Sequence, residues 1–118
     1  MGTWGAGNFD NDSAGDWLVE TVFDPIVATI NECLHDHDEA NGPFIMAAVE
    51  TLAVVCEHLP VMPPEPTVVE KWRDTFLKSW EGYMEDLQPE PGRKEARKRV
   101  IEATFDRLLR IANAANRS

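Results

Sequence analysis

Basic side chains are missing from the first 70 of the 118 residues: no lysine or arginine precedes Lys71. Those 70 residues carry thirteen Asp and Glu, whereas residues 71–118 hold eight acids and all eleven bases, for a net charge of −10. A surface this negative repels phosphates, which argues against duplex DNA as a partner. Long apolar runs are missing too. None approaches the ~20 residues that cross a bilayer, so no membrane partner is expected. Cysteine is scarce, with only Cys33 and Cys56, which is too few for a disulfide framework and fits a reducing compartment. Residues 1–12 lack the basic and apolar stretches of a signal peptide, so a cytoplasmic setting is expected. Strand-type alternation, internal repeats and low-complexity tracts are also absent.

What is present reads as helix. Hydrophobic residues make up 43% of the chain, enough to bury a core and offset chain entropy in one domain spanning residues 1–118. Asp12 or Ser13 can cap a first helix, with Ala14, Trp17, Leu18 and Val22 on its apolar stripe. Pro25 should kink that helix or restart it, with Asp24 as the new cap and Ile26, Val27, Ile30, Cys33 and Leu34 continuing to His35. Residues 44–59 are apolar on nearly every side, the pattern of a central helix. Pro60, Pro63, Pro64 and Pro66 make a stiff link. Thr67 with Glu70 then forms a capping-box pattern ahead of Val69, Trp72, Phe76, Trp80, Tyr83 and Leu87, which recur at steps of three and four. A last helix over 94–115 presents Ala96, Val100, Ile101, Phe105, Leu108 and Ala112 on one side. These elements predict an all-α, compact single-domain bundle of four to five helices.

The opening MGTWGAGNFDND differs in kind, with three glycines, the aromatics Trp4 and Phe9, and no helical period. It is expected to form an irregular arm (residues 1–12) packed on the bundle. Met1, Gly2, Trp4, Gly5, Gly7, Phe9, Asn11, Asp12, Ala14, Asp16 and Trp17 follow a pattern of Met-Gly-x-Trp-Gly-x-Gly-x-Phe, an acidic or Asn-rich step and then Ala-x-Asp-Trp. In this the chain resembles the bacterial domain-of-unknown-function 4259 family. The resemblance implies a small bacterial cytoplasmic protein and carries no assigned activity, cofactor or catalytic residue.

Candidate chemistry is sparse. An EF-hand reading of Asp10, Asp12, Gly15 and Asp16 fails because Ala14 and Thr21 stand where oxygen ligands are needed. His35, Asp36, His37, Asp38 and Glu39 supply imidazoles and carboxylates suited to a transition metal, with His35 and His37 as candidate ligands. Cys33 and His37 are one helical turn apart, yet Cys33 lies on the apolar stripe, which favours an inert thiol. Glu50 and Glu57 share a helix face and are expected to pair with bases of the last helix. The aromatic stripe from Trp72 is expected to be core.

The function expected is a non-catalytic protein–protein interaction module of adaptor or toxin-neutralising type, without a cofactor, whose partner presents a basic surface. Trp4, Phe9, Asp10, Asp12, Asp36, Asp38 and Glu39 are its candidate contact residues. A metal-dependent hydrolase built on the cluster from His35 to Glu39 is the alternative. A homo-oligomer joined through Trp4 or the aromatic stripe is a third reading.

Overall fold

The computed structural model describes residues 5–36 and 41–116. Among them the chain forms α1 (Asp12–Leu18), a π-helical stretch (Val19–Phe23), α2 (Asp24–His35), α3 (Gly42–His58), α4 (Pro66–Leu87) and α5 (Arg93–Asn116), with no strand. The fold is the expected all-α bundle. Its long axis measures 57 Å against 25 and 21 Å across.

Pro25 stands in the first turn of α2, which resumes as α-helix at Asp24, with Phe23 and not Asp24 in the cap position. The turn before it widens, and the Asp24 amide donates to the Val19 carbonyl, five residues back. That wider spacing relieves the clash between the proline ring and the preceding turn, so α1, the π stretch and α2 run on as one helix. The extra residue also rotates the register. Ile26, Val27 and Ile30 meet the core, whereas Trp17, expected on the same stripe, is 54% exposed.

Two caps differ from expectation. Asn11, not Asp12 or Ser13, caps α1, its Oδ1 accepting from the Ala14 amide at 2.8 Å. α4 begins at Pro66 behind Glu65, with no side-chain cap bond; proline suits the first helical position, where the amide has no partner within the helix. Thr67 is already inside the helix.

α3 packs between α2 and α5, and α4 packs on α5. Glu81 of α4 meets Lys98 of α5, and Phe76 of α4 meets Phe105, so these two helices are antiparallel. Pro43, Met46 and Glu50 of α3 lie against Arg97, Val100 and Thr104 of α5, and Glu57 lies against Arg107, so α3 and α5 run the same way. α3 and α4 are therefore diagonal. The proline link crosses the end of α5, placing Met62 to Pro66 beside Ala112 and Ala115. α3 and α5 both begin at one end of the bundle, and α1 continues α2 toward the other.

The core joins Ile30 of α2, Ile45, Val49 and Leu52 of α3, Val69, Trp72, Phe76 and Trp80 of α4, and Ile101, Phe105 and Leu108 of α5. The Phe76 and Phe105 rings sit 5.9 Å apart and tilted by 49°, within the range for favourable aromatic pairs. α3 is less enclosed than its composition suggests. Phe44 and Val54 face outward, because the helix has neighbours on two sides and not all round. On α5 the buried line is Ile101, Phe105, Leu108 and Ala112, leaving Val100 outside.

Candidate functional site

The Gly5–Gly7 segment closes on Asp10. The Asp10 Oδ2 accepts from the Gly7 amide at 2.8 Å, and the Asp10 amide donates to the Gly7 carbonyl at 3.1 Å. A Cβ on Gly5 or Gly7 would stand 2.5 or 2.7 Å from that carboxylate, so a larger residue there would displace the Asp10 side chain from its bond to the Gly7 amide. Asn11 then starts α1. The arm thus delivers the chain into a helix at a fixed point, with Phe9 half-buried and Asp12 exposed in the first turn.

From that start the acids fall at steps of four: Asp12, Asp16, Glu20, Asp24, then Ala28, Glu32 and Asp36. Residues four apart are neighbours on a helix surface. All six carboxylates are on exposed residues, and among the described residues none of them enters an ion pair. The result is an acidic ladder about 36 Å long at the helical rise, with the exposed indole of Trp17 beside its first rungs. The acids were counted from sequence; their four-residue spacing, which puts them on one winding face, is the signal that finds this surface.

The candidate residues do not all gather. Asp12 and Asp36 sit near opposite ends of the ladder, and Asp10 is engaged in its own turn. Trp4, His37, Asp38 and Glu39 lie outside the described residues. Among the described residues no group of three or more His, Cys, Asp and Glu could hold a metal ion. His35 instead lines a cleft of about 640 Å³ between α2 and α4, together with Asn31, Leu34, Val68, Lys71 and Trp72. Those two helices meet over a short stretch, and the Trp72 Nε1 spans them by donating to Asn31 Oδ1 at 2.9 Å. Among the described residues the lining of this cleft includes no carboxylate and no thiol.

Both cysteines are free, and burial pushes the Cys56 thiol up to about 11, which keeps it protonated at neutral pH. Glu57 does pair with the last helix. The Arg107 Nε and Nη2 donate to its two carboxylate oxygens at 2.6 and 2.7 Å. That guanidinium holds the Glu57 carboxyl below the usual carboxylate range, mainly through the hydrogen bond. Glu57 lies on the surface rather than in the core, and so does Glu50.

The family model for the domain of unknown function DUF4259 matches residues 2–114. The chain belongs to the DUF4259 family. Comparison with curated proteins gives no match, and neither does comparison with solved structures. The match extends the family resemblance from the opening motif to nearly the whole bundle. For this DUF4259 chain the opening motif has a physical reading: glycines that admit the Asp10 carboxylate, an Asn cap, and the first rungs of the acidic ladder.

Proposed function

We propose that this chain is a bacterial, cytoplasmic, non-catalytic interaction module whose acidic helix receives a protein with a basic face, in an adaptor or toxin-neutralising role. One observation carries the reading: six exposed carboxylates along one helix without an ion-pair partner among the described residues. Like charges four apart destabilise a helix by about 0.2–0.5 kcal/mol per pair, so the ladder works against its own helix. A basic partner removes that cost on binding and is steered to the surface by the same field. Trp17 supplies an apolar anchor beside the charges, as aromatic contact residues do at interfaces.

The test uses Asp12→Asn, Asp16→Asn, Glu20→Gln and Asp24→Asn combined. Capture from a lysate of the native host should yield a basic protein that is lost at high salt. With that protein purified, the combined variant should bind it at least tenfold more weakly, roughly the loss of one charged contact. Its own thermal stability should be equal to or above that of the parent. A partner that binds parent and variant alike, or that is acidic, overturns the proposal.

A further inference from the structure

At the end of the bundle opposite α1 lies a second cavity, of about 420 Å³. Its floor is mainly apolar: Phe76, Trp80, Met84 and Leu87 of α4 with Pro43 of α3, and Tyr83 beside them. Its lip is cationic: Arg93 and Arg97, one turn apart on α5. Arg107 and Lys98, elsewhere on the same helix, are each matched to a carboxylate, whereas Arg93 and Arg97 enter no ion pair among the described residues. Two further features add positive potential. The cavity is lined by Gly42 and Pro43, the first turn of the 17-residue α3. It is also lined by Arg93, the first residue of the 24-residue α5. Helix N-termini carry partial positive charge and favour acids in their first turn. α5 opens with Arg93 and Lys94, ahead of Glu95 in the same turn.

Leu87 points the same way. It closes the clean stripe of α4 yet stays 50% exposed, at the rim of this cavity. The molecule therefore keeps an apolar hollow and two unmatched guanidinium groups together, on a chain whose net charge is −10.

We propose that this cavity binds an amphipathic carboxylate: an aliphatic tail laid against Trp80, Met84 and Leu87, and one anionic head held by Arg93 and Arg97. The volume falls within the ~300–1,000 Å³ usual for small-molecule sites, and the division into apolar walls and few polar groups is theirs as well. Guanidinium groups suit a carboxylate because their planar donors match its two oxygens. The site is separate from the acidic ladder and does not depend on it.

Titration calorimetry of the full chain with octanoate, below its micellar concentration, tests the proposal, with 1-octanol and acetate as tail-only and head-only probes. Octanoate should saturate one site, and each half-probe should bind more weakly. Arg93→Gln with Arg97→Gln should weaken octanoate about tenfold or more, the cost of losing charge-assisted hydrogen bonds, and leave 1-octanol unchanged. Leu87→Glu, at an exposed position the fold tolerates, should weaken both. Arg73→Gln with Arg110→Gln makes the same change in net charge away from the cavity and should leave octanoate binding intact. Absence of saturation, equal loss in both arginine pairs, or 1-octanol binding as tightly as octanoate would each overturn it.

Discussion

The Glu57–Arg107 pair shows what a single residue does in this molecule. Glu57 comes from the base-free part of the chain and Arg107 from the base-rich part, fifty residues later. Their two parallel bonds fix the level at which α3 and α5 lie side by side. The folded-state pKa of Glu57 is lowered, chiefly by the Arg107 hydrogen bond. Such a group stabilises the fold above its unfolded value of about 4.3 and loses that contribution as pH falls through the lower folded value. Glu57→Gln should therefore lower the melting temperature at neutral pH, and parent and variant should converge under strongly acid conditions. The pair is exposed and the neutral-pH difference small. A difference that persists unchanged at pH 2 would mean that Glu57 acts through packing and not through its charge.

At the scale of elements, the helices are longer and more continuous than their breakers suggest. Pro25 is absorbed by a wider turn, and α4 accepts Pro66 as its first residue. α4 ends where Gln88 turns left-handed, with φ of 47°, and hands its amide to the Met84 carbonyl. A side chain with a Cβ is strained there, and glycine is the residue that helix ends of this form prefer. Gln88→Gly should stabilise the protein by about 1 kcal/mol, the cost of a left-handed residue that carries a Cβ, read from the midpoint of urea unfolding. A loss of stability would show that the glutamine side chain holds the turn to α5.

Across the whole molecule, charge is sorted lengthwise. The acidic ladder runs down α1 and α2, while Arg93, Lys94, Arg97, Lys98 and Arg99 open α5 at the far end from α1. Few of these charges neutralise one another within the chain, so self-repulsion outweighs pairing. Raising salt from about 10 mM to 0.3 M shortens the screening length several-fold and should raise the melting temperature. A fall on adding salt would mean that the ion pairs dominate instead.

How much of this was legible beforehand follows from the physics. Helix identity was, because Val69, Trp72, Phe76 and Trp80 recur at helical spacing and such a stripe must be buried. The pairing of Glu57 with the last helix was legible from the charge pattern, although Glu57 and Glu50 both lie on the surface and the pair expected for Glu50 does not form among the described residues. The acidic ladder could have been read from its four-residue steps alone. Other features needed the fold. The register change at Pro25 depends on Phe23, Ile26 and Val27 being held against the core, which no local preference encodes. The apolar hollow beside Arg93 and Arg97 exists only because the end of α4 meets the starts of α3 and α5. Sequence by itself determined which residues are helical and which face is acidic, because both follow from short-range spacing. Tertiary structure alone decided which cations are matched and which stay free, because that depends on side chains brought together from positions tens of residues apart.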